Sequence, residues 1–326
     1  MNFLPFNWFI GFCVLISFFK IPEDTKGSIS FSDVPPMLVV DHYSGFIALR
    51  NSRGNLVWKQ NGTSLYEAWL QSDGSIVYST RKEVIKIIPD LQKGSGGKIV
   101  WQYAYGSNFV GEIPSKGGVY TCTPIDGNRF IVTESATYRL IEIDDKGVVK
   151  KVIQLPAPKN TKSNHSLRMT TKTKKGNYLV CYFGDGYVLE FDDSGKLLKE
   201  INIGKLLPSY INSAYQATYI NNGNLLISCG TQSQIIILNS NQQIIWNLTQ
   251  KDFDSEIDLN WIAQVIQLEN GNILVCNYGD GKAKTLAFEI TMNKKIVWKL
   301  QDDNLKGLSM VQILPKDYNK FLTSKD

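Results

Sequence analysis

The segment GNLVWKQ at 54–60 returns in altered form as GGKIVWQY, NQQIIWNL and NKKIVWKL, each an apolar strand that reaches a tryptophan. The tryptophans are Trp58, Trp101, Trp246 and Trp298. The gap between the second and the third is about three times the others, and two degenerate copies fill it. These are DDKGVVKK, with Lys151 in the tryptophan place, and DDSGKLLKE, with Lys199 there. Six copies then span 58–298 at a mean period of roughly 48 residues, a length that signals stacked repeats of one supersecondary unit.

A second element keeps the same period: AWLQSDGSIVYS, TCTPIDGNRFIVT, MTTKTKKGNYLVC, QATYINNGNLLIS and AQVIQLENGNILVC. Each is an apolar-rich run, a turn with glycine, and a second run, the pattern of a tight β-hairpin. A third strand such as YVLEFD or IIILN follows, then a DDSG, DDKG or NSRG turn into the tryptophan strand. Four antiparallel strands repeated six times predict an all-β chain, a six-bladed β-propeller, with seven blades as the alternative. The N-terminal part supplies strands two to four of one unit, MLVVD, FIALRN and NLVWK, and LSMVQILP near the C-terminus supplies its first. Pairing them closes the ring and leaves no free sheet edge. NKFLTS at 319–324 competes with MLVVD for its place. On this reading the four tryptophans are inter-blade packing residues.

Residues 3–19 carry no charge and are mostly apolar, and Lys20 ends the run. Residues 1–22 read as a signal peptide or membrane anchor, with 23–326 as a single propeller domain. A lipoprotein signal would use Cys13, but bulky Phe12 stands where such signals need a small residue. Each version exports the chain to the periplasm, the cell envelope or the extracellular space, with membrane contact only through the N-terminal segment. A net charge of +5 in 326 residues argues against a dedicated nucleic-acid binder. Cys122, Cys181, Cys229 and Cys276 form no C-x-x-C pair, and the two histidines are His42 and His165, so neither metal nor cofactor is expected. The expected state is a monomer.

ALRNSRGNLVWK at 48–59 resembles the tryptophan-docking motif of the quinoprotein-type, PQQ-like propeller repeats: Asn51 precedes Gly54 by three and Gly54 precedes Trp58 by four. The first spacing survives at Asp144–Gly147 and Asp192–Gly195 without the tryptophan, and Asn239 with Trp246 keeps only the ends. The resemblance covers nearly the whole chain after residue 37 and implies the repeat, not an activity. Quinoprotein dehydrogenases are larger eight-bladed rings with an adjacent cysteine pair, which this chain lacks, so PQQ chemistry is not implied. Residues 263–275 are similar to a strand pair of secreted arylsulfotransferases, but Arg168, Tyr215 and Ala263 stand where that family has its histidine, and only His165 lies near a comparable place.

Turns between first and second strands are tight, whereas the links between blades, 102–118, 154–166, 200–213 and 247–260, are long. Long loops on a rigid scaffold are where function concentrates. The link at 156–168 is basic, and the one at 250–260 holds Asp252, Asp254, Glu256 and Asp258 without the spacing of a calcium loop. FGDG at 183–186 and YGDG at 278–281 read as hairpin turns rather than phosphate loops, because no helix follows them. Aligning the units on their turn glycines sets Glu67, Tyr120, Gln216 and Gln264 at one level of the channel, with Met169 and Met310 completing the ring. Arg168, Tyr215 and Trp261 lie nearby, and His165 stands in the basic link. Amides beside flat aromatics suit hydroxyl-rich ligands. The expectation is an exported, non-catalytic propeller that binds a protein, peptide or glycan at the channel mouth. The alternatives are an envelope enzyme, a lyase or sulfotransferase-like protein using His165, Arg168 and Glu67, and a structural assembly scaffold.

Overall fold

The computed structural model describes residues 34–126, 128–158, 167–207, 213–253, 257–315 and 318. The N-terminal segment 1–22, His165, and NKFLTS lie outside the described residues, as do Asp254 and Glu256. The chain forms six four-stranded antiparallel sheets, a six-bladed β-propeller.

One blade is built from both ends: β24 (Leu308–Ile313) pairs with β1 (Met37–Asp41), followed outward by β2 (Phe46–Arg50) and β3 (Leu56–Asn61). The next blades run outward in chain order. They are β4 (Leu65–Leu70) to β7 (Gly97–Ala104), β8 (Thr123–Ile125) to β11 (Val149–Gln154), and β12 (Leu167–Lys172) to β15 (Leu197–Asn202). The last two are β16 (Gln216–Tyr219) to β19 (Ile244–Leu248) and β20 (Ile262–Gln267) to β23 (Ile296–Leu300). The first strands β24, β4, β8, β12, β16 and β20 touch in sequence, and β20 meets β24 to close the ring. No helix among the described residues is long and apolar enough to cross a membrane.

Middle strands are packed on both faces, which is why they read as unbroken apolar runs rather than alternating ones. Side-chain direction alternates along a strand, so each strand feeds two interfaces. Met37 and Val39 face the β20–β23 blade, while Leu38 and Val40 face the β4–β7 blade. Six apolar clusters result, one for each pair of neighbouring blades. Outer strands are partly open to water, as in Leu197–Asn202, where Leu197, Leu198 and Glu200 are exposed and Ile201 is buried.

Three of the four repeated tryptophans pin their blade to the next by a hydrogen bond. Trp58 Nε1 donates to the Gly96 carbonyl (2.8 Å), Trp101 Nε1 to Asp145 (2.9 Å) and Trp246 Nε1 to Met292 (2.8 Å), each in the third-to-fourth-strand turn of the following blade. Lys151, in the tryptophan place of its blade, reaches the same turn of the next by an ion pair to Asp193 (2.5 Å). Trp298 differs: its indole donates to Glu289 Oε2 (2.7 Å) within its own blade. Gly147, at φ +81°, lies in the turn that receives Trp101, and a Cβ there would stand 2.9 Å from the Trp101 side chain.

Candidate functional site

The links between blades and the second-to-third-strand turns share one face, and at its centre the first strands begin. Tyr66, Tyr120, Arg168, Tyr215 and Ser309 stand at or just before the starts of five of these strands, and Trp261 precedes β20 by one residue. Turns on the same face add His42, Phe183, Tyr278 and Asp280. A cavity of about 240 Å³ lies here, lined by His42, Tyr66, Arg168, Tyr215, Trp261, Tyr278, Asp280 and Ser309.

The rings form a closed circuit around this mouth. His42 meets Tyr66 at 4.8 Å between centroids, and Tyr66 meets Tyr120 at 4.6 Å. The Arg168 guanidinium bridges onward, 4.5 Å from the Tyr120 centroid and 5.0 Å from Phe183. Phe183 and Tyr215 both touch Trp261, which reaches Tyr278 at 5.2 Å, and Tyr278 returns to His42 at 5.8 Å. All six blades contribute to this circuit. Edge and tilted contacts of this kind fix ring orientation, and Arg168 gains cation–π attraction from both neighbours.

Trp261 is held in the left-handed backbone region at φ 59°, a conformation that bulky residues avoid and that costs about 1–3 kcal/mol. Its N–H donates to Ser233 Oγ (2.9 Å) of the neighbouring blade, and its carbonyl accepts from Tyr278 N–H (3.1 Å). The surrounding bonds hold the strained backbone that directs the indole into the mouth. His42 Nδ1 contacts the Leu65 carbonyl at 2.6 Å. A carbonyl only accepts, so Nδ1 carries the proton and Nε2 is left as an acceptor. Burial, helped by the charge of Arg168, holds the imidazole pKa below its ordinary value and keeps the ring neutral at pH 7. Burial also pushes the Tyr66 phenol up to about 12, and Tyr215 higher, so both stay protonated donors.

The residues expected from sequence fall into two sets. Arg168, Tyr215 and Trp261 line the mouth, and Tyr120 packs against Tyr66 and Arg168 at its edge without lining the cavity. Glu67, Gln216 and Gln264 are not among the residues lining the cavity. Each is buried and reaches sideways to accept a first-strand N–H from the next blade: Cys122 on Glu67 (2.5 Å), Val265 on Gln216 (2.8 Å) and Val311 on Gln264 (2.9 Å). The Met310 sulfur takes the N–H of Ala68 in the same way. These side chains clasp blades together, which occupies the acceptor oxygens that the sequence reading gives to ligand hydroxyls. The pattern also resets one alignment: Cys122 takes the place of Ala68, so Tyr120 stands level with Tyr66 and Tyr215. The hairpin turn of its blade is tighter, with Ile125 pairing Arg129 where Leu70 pairs Ile76, so counting back from the turn glycine displaces it.

Sequence reasoning missed His42, Tyr66, Phe183, Tyr278, Asp280 and Ser309. A signal was present for two of them: FGDG and YGDG do join second and third strands, and each sets an aromatic at the same place of its blade. In the acidic link, Asp252 is engaged by Lys294 (2.7 Å) and by Thr249. Among the described residues no three His, Cys, Asp or Glu side chains stand together as a metal set.

No family profile and no curated protein matches the chain. Among solved structures, a protein of unknown function from Bacteroides caccae is similar at TM-score 0.71 and 23% identity, over 85% of this chain and 98% of that one. A chain of a nidogen/laminin complex gives TM-score 0.57 at 10% identity, over 85% and 97% of the two chains. Virginiamycin B lyase from Staphylococcus aureus gives 0.53 at 13%, over 83% and 85%. These likenesses extend to the fold: the chain belongs with the β-propellers.

Proposed function

We propose that this protein is an exported binding propeller that holds a ring-sized part of a protein, peptide or glycan ligand in the aromatic mouth of its channel. The observation that carries the reading is the closed circuit of rings around Arg168, anchored by a Trp261 backbone kept in a strained conformation. Export is supported by the apolar run at 3–19, and a PQQ-like repeat by the tryptophans that dock on the following blade. The sites of interest on a propeller are set by its loops, so the varied neighbours are compatible with a binding role. The test is a titration of arrayed glycans and peptides against the wild type, Trp261→Ala and Tyr278→Ala, followed by tryptophan fluorescence. The expected result is a ligand whose affinity falls by roughly 1–3 kcal/mol in each variant while the melting temperature holds. A ligand bound equally by all three proteins would contradict it.

A second reading, an envelope lyase, is favoured by one observation: His42 presents a neutral imidazole in the same cavity as Arg168. A base near a charge-stabilising guanidinium is what proton abstraction next to a carboxylate requires. Formation of an unsaturated product, lost in His42→Ala, would favour this reading over simple binding.

A further inference from the structure

Two further cavities flank the mouth on the same face, each linked to it by neighbouring residues. A second, of about 440 Å³, lies beside the link between β3 and β4 and holds Asn61, Ser64, Arg81 and Lys82 with Glu83. It meets the mouth where Ser64 hydrogen-bonds the Tyr66 phenol. A third, of about 400 Å³, holds Lys282, Lys284 and Lys306 with Asp302 and Asp303. It begins at Gly281, next in chain to Asp280 of the mouth, and Tyr43 packs against both Gly281 and Gly307 at that border.

Size and charge together narrow the occupant. Pockets for drug-sized ligands run from about 300 to 1,000 Å³, so the mouth accepts one ring-sized unit and the flanking cavities accept its neighbours in a chain. The walls of the mouth are flat aromatic faces with phenol donors, whereas both flanks are polar. A cationic guanidinium already lies between the rings, so an ammonium would meet like charge on entry. Its charge acts on the cavity, favouring the ionised forms of the Tyr66 and Tyr215 phenols. Lysines and Arg81 continue the positive character on either side. The acids on these walls are Asp280 in the mouth, Glu83 in the second cavity, and Asp302 and Asp303 in the third, fewer than the basic side chains beside them, and Asp302 is turned to Arg50 (3.6 Å).

We propose that the ligand is an anionic oligosaccharide, a chain of carboxylate-bearing sugars, laid across the long-loop face through the three cavities with one residue seated against Trp261 and Arg168. This rests on the reading of the mouth as a ligand site. The guanidinium binds a carboxylate, the indole and phenols pack on a sugar face, and the flanking lysines meet carboxylates of the neighbouring units.

The experiment is calorimetric titration with a galacturonic acid tetrasaccharide, the monosaccharide, and the carboxyl-reduced tetrasaccharide. The proteins are wild type, Arg168→Gln, Trp261→Ala and the Lys282→Gln/Lys284→Gln double variant, each checked for an unchanged melting temperature. The expected result is tetrasaccharide binding about ten-fold or more tighter than the monosaccharide or the reduced chain. Arg168→Gln should lower it by about the same factor, and the lysine variant should weaken the tetrasaccharide but not the monosaccharide. Equal affinity for the reduced chain overturns the anionic assignment, and equal affinity for the monosaccharide overturns the three-cavity path; both leave the mouth itself standing. A peptide bound in a Trp261-dependent way, with no saccharide bound, overturns the inference but not the site. Binding indifferent to Trp261→Ala overturns both.

Discussion

Glu67 shows how one position can look like a binding group and serve as a clasp. Its carboxylate is fully buried and accepts from Cys122 N–H, Thr123 Oγ1 and Trp69 Nε1. Burial outweighs these donors and pushes its pKa up to about 7 from the ordinary 4.5. The folded protein therefore holds a proton there that the unfolded chain has lost. The sign follows: the contribution is full below pH 4.5 and is lost as pH rises toward 7. Urea titrations at pH 5 and pH 7.5 should show Glu67→Gln losing less stability across that range than the wild type, by roughly 2–3 kcal/mol. Equal losses would contradict the buried acid. The sequence shows that Glu67, Gln216 and Gln264 share a level. It does not show their role, because the partner of each is a backbone N–H about fifty residues away along the chain. Tyr66, one residue earlier, faces the mouth instead, since neighbours along a strand point to opposite sides.

At the scale of the element, the tryptophan strand is the most legible part of the chain. Its period predicts the blade, and its apolar run with a glycine turn predicts the docking. Trp58 is fully buried and Trp246 half-buried, so the same donor does unequal work. Trp58→Phe removes the bond from a fully buried indole to the Gly96 carbonyl, which keeps the Asp90 N–H (3.0 Å), and should cost about 1 kcal/mol. Trp246→Phe should cost less, because water can replace its N–H. Chemical denaturation of the two variants checks the order, and equal losses would argue against the buried bond. Gly147→Ala forces a Cβ at positive φ toward Trp101 and should destabilise more than Gly74→Ala, where no atom lies within 4 Å of the added carbon. The second-to-third-strand turns were legible as turns but not as site elements. His42, Phe183 and Tyr278 lie in different blades, and only ring closure brings them within ring contact.

For the whole molecule, closure is the condition on which the site depends. β24 supplies Ser309 to the mouth, Met310 to the clasp, and Leu308 and Val311 to the core against the β20–β23 blade. Truncation before residue 308 removes all of these and leaves β1 as an unpaired sheet edge, so the protein should aggregate or melt far below the full chain. An unchanged melting curve would contradict closure through this strand. The repeat made the six blades and the shared terminal blade readable, whereas the mouth was only half readable: Tyr120, Arg168, Tyr215 and Trp261 stand at or just before the starts of first strands, as Tyr66 and Ser309 also do, and the others sit on turns whose convergence is a property of the ring. Hydrogen exchange with and without the galacturonic acid tetrasaccharide tests the central claim most directly. The account predicts slowed exchange at 41–46, 183–186, 261–264 and 278–281, from blades far apart in sequence and on one face. Protection confined to the opposite turns, such as 71–75 and 268–272, would contradict it.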